Sequence, residues 1–256
     1  HLSIRRQRQM CIRDSLKAAF GGPLTSKFQF NKNNIRFQGE AGAFNFKTKT
    51  AFGVLAKGKG SFNNHALLVC RGTADSYDTY TDLNAGIQTC RSGHKVHAGF
   101  HRVFNDFQKQ IDSFIALNRP SVIHCVGHSL GGALANLCAD AILHQSHSPN
   151  IALYTFGSPR VGDSSFAARL SNHAKLGSLN IQRVYHSGDP VAMVPLWPFC
   201  HAPLPTGEYY IEKSGGYTIN PMQHMMSNYI KSVESSSWNS LKVPHPNFDD
   251  HCIEWA

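Results

Sequence analysis

Three residue types in this 256-residue chain supply the parts of an acyl-transfer site. Ser129 lies in Gly127-His128-Ser129-Leu130-Gly131, which fits the G-x-S-x-G pattern and is followed by Gly132. A serine hydroxyl is a weak nucleophile until a base takes its proton, and that base needs an acid to orient it. Behind a strand-turn-helix nucleophile, the expected chain order is Ser, then Asp or Glu, then His. The downstream aspartates are Asp140, Asp163, Asp189, Asp249 and Asp250. Asp140 is carried away on the helix behind Ser129, and Asp163 sits where a helix cap would. Asp189 lies in a tight Ser187-Gly188-Asp189-Pro190 turn after a predicted strand. A plain turn residue is the alternative role there, but its place in the topology favours the triad acid. Of the downstream histidines, His245 lies between prolines and His251 near the chain end. His201 precedes a predicted hairpin and is read as a structural hydrogen-bonding residue. His224 follows that hairpin and precedes a closing helix, where the base belongs.

The elements that must position these residues are visible as hydrophobic patterns. Val122 to Val126 is a short apolar run that reads as a buried strand. Leu130, Ala133, Leu134, Leu137 and Ala141 recur at helical spacing behind the glycine-flanked turn, completing a nucleophile elbow of Gly127, His128, Ser129 and Gly131. Further strands are predicted at Thr50 to Ala56, His65 to Cys70, Ile151 to Phe156 and Ile181 to His186. Helices are predicted over His97 to Asn118 and Asp163 to Leu170, with a closing helix marked by Met222, Met225, Met226, Tyr229, Ile230 and Val233. Glu208 to Ile219, with Gly215-Gly216 inside it, reads as a hairpin, and Ala74 to Gly93 as a long polar loop. Strands alternating with helices predict an α/β protein with a mainly parallel central sheet and helices on both faces.

With 41% apolar and 16% charged residues, the composition is that of a globular chain. Residues 16–256 show no repeat or low-complexity linker and read as one domain. Residues 1–15 do not look like the start of a domain. Their RQRQMCIRDS string resembles translated sequencing-adapter sequence, so they read as non-native or as a disordered basic arm. The seven cysteines are odd in number and lack C-x-x-C pairing, so neither a disulfide framework nor a zinc site is expected. The net charge of +9 is scattered outside residues 1–15, with no basic helix face, which argues against a nucleic-acid partner. It is compatible with mild attraction to anionic lipid. No apolar run approaches the ~20 residues of a membrane-spanning helix, and no signal-peptide core is present in this stretch.

Taken together, Arg71-Gly72-Thr73, Val96-His97-Ala98-Gly99-Phe100, Gly127 to Gly132, Tyr154 to Gly162, Asp189-Pro190-Val191 and His224 to Ile230 resemble the class 3 lipases. These are the fungal-lipase-like branch of the α/β-hydrolases, and the likeness is greatest to bacterial members. The resemblance implies the α/β-hydrolase fold, ester hydrolysis of lipids, and a triad of Ser129, Asp189 and His224. It also implies an oxyanion hole from the backbone N–H groups of Leu130 and Thr73, helped by the Thr73 hydroxyl. Independently, Thr73 ends an earlier predicted strand, where a second donor is expected. His128 is expected to shape the elbow and not to react. One departure concerns the lid segment after Arg71-Gly72-Thr73. There the family often has Trp after an Asp, whereas Asp78 is followed by Thr79 in a polar stretch from Asp75 to Asp82. Weak interfacial activation is the expectation.

The mechanism that follows is acyl transfer to Ser129, with His224 as general base and then acid. Asp189 fixes the His224 tautomer, water releases the acyl group, and no metal or cofactor is called for. The expected partner is a lipid or ester substrate, with transient contact at a lipid interface. Triacylglycerol or general carboxylester hydrolysis is favoured, and the apolar Val191 to Phe199 segment is a candidate border for an acyl groove. A proline-rigidified loop packed on the core is the equal alternative for that segment. The positive charge makes phospholipase A1 the runner-up, and a non-catalytic lipid-binding module is the rival of a different class. The sequence leaves open the oligomeric state, and also the location, between a bacterial cytoplasm and export by a route not encoded here.

Overall fold

The computed structural model describes residues 35–41, 48–72, 86–145, 148–196, 198–202, 209–211 and 219–235. The described strands are β1 (Ile35–Ala41), β2 (Thr48–Lys57), β3 (His65–Cys70), β4 (Ile87–Thr89), β5 (Lys95–His97), β6 (Val122–His128), β7 (Asn150–Phe156), β8 (Leu179–His186) and β9 (Tyr209–Ile211). The helices are α1 (Ala98–Asn118), α2 (Leu130–Leu143), α3 (Ser164–Lys175) and α4 (Met226–Ser235). Seven strands form one sheet in the order β1-β2-β3-β6-β7-β8-β9. The first two pairings are antiparallel, and from β3 to β9 every pairing is parallel.

The strands alternate between two buried faces, which is why they read as continuous apolar runs. Ala66, Leu68 and Cys70 of β3 point to one face with Cys125, Leu153 and Ile181. That face is covered by α1, α2 and α3 through Phe104, Phe107, Leu134, Phe166 and Leu170. The intervening Leu67 and Val69 lie on the opposite face with Val126, Phe156 and Val184, beneath Tyr229 and Val233 of α4. Helices therefore cover both faces, as the alternating pattern predicts. At about 25 cal/mol per Å² of apolar area removed from water, this two-sided burial is the main stabilising term of the fold. No described helix is long and apolar enough to cross a membrane.

Some expectations are corrected, and others fall outside the described residues. The predicted polar loop from Ala74 to Gly93 contains β4, which pairs antiparallel with β5 from Ile87↔His97 to Thr89↔Lys95. All three β4 residues are exposed, so they carry no hydrophobic period to reveal a strand. The described part of the predicted hairpin, β9, pairs parallel with β8 as the sheet edge. Residues 212–218, which hold the Gly215-Gly216 turn of that hairpin, lie outside the described residues. The closing helix begins at Met226, not Met222, because Met225 is extended (ψ 133°) and ends a separate 3-10 turn, Pro221–His224. Cys200 is disulfide-bonded, while Cys70, Cys90, Cys125 and Cys138 are free and buried. One such bond among the described cysteines does not amount to a disulfide framework. Residues 1–15, the Asp75 to Asp82 stretch, Asp249, Asp250, His245 and His251 lie outside the described residues.

Candidate active site

The parallel strands deliver their C-terminal ends to one edge of the sheet, where ligands bind in sheets of this kind. Ser129 follows β6 directly and adopts φ 63°, ψ −134°, a left-handed conformation rare for a non-glycine residue. Its N–H donates to the Phe156 carbonyl at the end of β7 (3.0 Å), which pins the turn between two strands. The elbow is too tight for side chains on either side. A β-carbon on Gly127 would overlap the Gly131 carbonyl, and one on Gly131 would overlap that of Cys70. Leu130 is the first residue of α2, so its N–H lies at the positive end of a helix. Gly72, just beyond β3, lies against the elbow: a β-carbon there would sit 2.9 Å from the His128 carbonyl oxygen and 3.1 Å from Ser129 Cβ. Thr73 itself lies outside the described residues.

Ser129, Asp189 and His224 come together. His224 Nε2 is 2.6 Å from Ser129 Oγ, and His224 Nδ1 is 2.9 and 3.0 Å from the two oxygens of Asp189. A carboxylate only accepts, so the ring carries its proton on Nδ1 and presents an accepting Nε2 to the serine hydroxyl. Asp189 is fully buried, yet its carboxylate is well supplied with donors. Oδ1 accepts from the Val191 N–H (2.9 Å), and Oδ2 accepts from the Tyr229 hydroxyl (2.6 Å). Burial and the Asp189 charge push the Tyr229 phenol well above its ordinary pKa, so it remains a donor. The Tyr229 hydroxyl also accepts from the His186 N–H (3.1 Å), and its ring stacks on His186 with centroids 4.0 Å apart.

The other candidates resolve into structural roles. Asp140 is buried and bound to Arg169 Nε (2.6 Å) and Ser92 Oγ (2.8 Å). Asp163 caps α3 by accepting from the Phe166 N–H (3.0 Å). His201 Nε2 donates to the Ala192 carbonyl (2.8 Å) and, with Arg160, which donates to the carbonyls of Met193 and Pro195, holds the loop after Asp189. In that loop Val191, Ala192 and Phe199 are buried while Leu196 is exposed, so it both packs on the core and presents an apolar residue outward. His128 is buried, and its pKa is lowered to about 3, first by burial and then by the neighbouring His224. It does not touch Ser129 chemistry directly but donates to the His224 carbonyl (2.7 Å), consistent with a shaping role.

Three contributors were not singled out by sequence reasoning. Tyr229 read as an apolar residue of the closing helix, and its hydroxyl gave no periodic signal. His186 read only as a strand end. Gly157 was one glycine within the Tyr154 to Gly162 motif. It has φ 52°, and a β-carbon there would lie 2.6 Å from Asp189 Oδ2, 2.9 Å from the Tyr229 hydroxyl and 3.1 Å from His224 Nδ1.

A serine, aspartate and histidine in that chain order, on loops at the C-terminal edge of a parallel sheet, mark the α/β-hydrolases as a class. Within that class the chain belongs to the class 3 lipase family, whose model matches residues 67–199. Over 169 residues it is 31% identical to a lipase of Rhizomucor miehei, an alignment covering 62% of this chain and 43% of that protein. Over 131 residues it is 34% identical to secreted mono- and diacylglycerol lipase 1 of Fusarium solani, covering 49% of this chain and 38% of that protein. A bacterial relative, toxin TseL of Vibrio cholerae, is 39% identical over 80 residues, which cover 31% of this chain and 12% of the toxin. The chain thus spans less than half the length of these relatives. The solved Rhizomucor miehei triacylglyceride lipase shares the fold with a TM-score of 0.56 at 23% identity, covering 82% of this chain and 80% of that one.

Proposed function

We propose that this chain is a serine-dependent carboxylic ester hydrolase acting on lipids, most simply as a triacylglycerol lipase or esterase. The observation that carries the reading is the continuous hydrogen-bonded series from Ser129 Oγ through the His224 ring to buried Asp189. His224 takes the serine proton as Oγ attacks the ester carbonyl, and Asp189 stabilises the resulting imidazolium. The developing oxyanion is assigned to the N–H of Leu130, at the N-terminus of α2, and to Thr73. His224 then protonates the leaving alcohol, and a water activated by the same ring releases the acid. The name of the Fusarium relative, a mono- and diacylglycerol lipase, favours glycerides as the substrate class. The formal charge of +9 favours an anionic phospholipid, which makes phospholipase A1 the second reading.

The test compares tributyrin, triolein and phosphatidylglycerol vesicles over a range of salt, with Ser129→Ala as control. Glyceride turnover that is insensitive to salt and falls on the order of 10³-fold in Ser129→Ala is expected. A rate confined to anionic vesicles and collapsing with salt would move the assignment to the phospholipase, because salt screens surface attraction. No turnover of any ester would leave a lipid-binding module as the reading.

A further inference from the structure

His224 closes a four-residue 3-10 turn, Pro221–His224, in which no residue is buried. Apolar packing therefore does not set the position of this turn, and hydrogen bonds to its main chain must. On its outer side, Asn220 Oδ1 accepts from the Met222 N–H (3.0 Å) and Asn228 Nδ2 donates to the Met222 carbonyl (2.7 Å). On its inner side, two consecutive carbonyls each meet a buried imidazole. His186 Nδ1 is 2.7 Å from the Gln223 carbonyl oxygen, and His128 Nε2 is 2.7 Å from that of His224 itself. A carbonyl only accepts, so His186 carries a proton on Nδ1 and His128 carries one on Nε2. Ser232 Oγ then donates to His186 Nε2 at 2.9 Å, which locks that tautomer. The two imidazoles come from the C-terminal ends of β6 and β8, which flank β7, so the turn is referenced to the strands that precede Ser129 and Asp189.

We infer that His128 and His186 are positioning residues that clamp the main chain at His224 and Gln223, and so set the reach of the His224 ring to Ser129 and Asp189. The inference rests on the proposed triad. The clamp suits the chemistry as well as the geometry. The His128 ring lies over the His224 ring, with centroids 4.7 Å apart and planes inclined by 28°. When His224 becomes a cation, a second cation at that distance would oppose it. His128 stays neutral because burial and His224 depress its pKa to about 3. Because the clamp acts through the turn and touches no substrate, its loss lowers kcat and leaves KM in place.

The test uses His128→Phe and His186→Phe, which keep a ring and remove the donor, beside His128→Gln and His186→Asn, which return an N–H near the lost one. Turnover of a water-soluble ester per titrated serine is read with KM. The proton resonance of His224 Nδ1–H, held by Asp189, is read by NMR and does not depend on turnover. The Phe variants are expected to lose about 10²-fold in kcat, the scale of a ~1 Å misplacement, with KM nearly unchanged and the Nδ1–H signal lost. The Gln and Asn variants are expected to regain about tenfold or more of that loss. Folded Phe variants with near-original kcat and an intact signal would overturn the clamp. If His128→Phe does not fold, His128→Asn, whose amide falls short of the carbonyl, takes its place under the same criteria. If the starting chain turns over no ester, the proposed function fails, while retention or loss of the signal still decides the clamp.

Discussion

Gly157→Ala places a single methyl group against the proposed triad, and its consequences can be worked from its contact distances and one torsion. The residue has φ 52°, so alanine there costs about 1–2 kcal/mol in backbone strain alone. The new β-carbon would lie 2.6 Å from Asp189 Oδ2, where ordinary contact begins at 3.4 Å, so something must move by 0.8 Å. Asp189 is fully buried and held by the Val191 N–H and Tyr229, so a shift of its carboxylate also disturbs those hydrogen bonds. Moving His224 does not relieve the contact with Asp189 Oδ2, so the carboxylate itself is pushed off its alignment with the His224 ring. A shift approaching 1 Å of the carboxylate that orients the proposed base costs on the order of 10²-fold in turnover, or about 2.7 kcal/mol of barrier. Gly177→Ala is the matching control: φ is 81°, but nothing lies within 4 Å of the added carbon. Gly177→Ala, with strain alone, should lower Tm by roughly 2–8 °C, and Gly157→Ala should lower it further because the overlap with buried Asp189 adds to the strain. Only Gly157→Ala should lose kcat on a water-soluble ester. Equal kcat in Gly157→Ala and Gly177→Ala would refute the claim that Gly157 exists to leave room for the Asp189–His224 pair.

Tyr229→Phe leaves Asp189 Oδ2 and the His186 N–H each a partner short, so it should cost about 2 kcal/mol in urea unfolding and lower kcat as Asp189 loses a fixed orientation. Asp140→Asn breaks the buried pair with Arg169 and should cost about 3 kcal/mol in stability while kcat per titrated serine stays the same. His128 also makes stability depend on pH. Its native pKa is depressed to about 3 from 6.5, so below 6.5 the unfolded chain takes up a proton that the native state refuses, and stability falls as pH drops towards 3. At about 1.36 kcal/mol per pH unit, this contributes roughly 2 kcal/mol between pH 7 and pH 5, and urea titrations of His128→Gln should lack that part of the slope.

The chemistry was more legible in the sequence than its supports. Ser129 and Asp189 could be placed because each follows a strand whose apolar run is buried on both faces, His224 because it precedes the closing helix, and chain order then suggests the roles. Asp163 and His201 were likewise read as structural, and they are, one capping α3 and the other holding the Ala192 carbonyl. What escaped was whatever lacks a hydrophobic period. β4 is three exposed residues, visible only through its pairing with β5. Met222 and Met225 fall at helical spacing with Met226 and Tyr229, but they are 59% and 46% exposed, because the chain leaves the helix to aim His224 at Ser129. The Tyr229 hydroxyl and the His186 ring act through contacts more than 35 residues away in sequence, which no local pattern encodes.

The central claim, that Ser129 is an activated nucleophile, is tested most directly by reacting the chain with a fluorophosphonate and locating the adduct by mass spectrometry. The account predicts a single adduct on Ser129, absent from Ser129→Ala and strongly slowed in His224→Ala. No adduct on the folded chain, or an adduct of equal rate in His224→Ala, would contradict it.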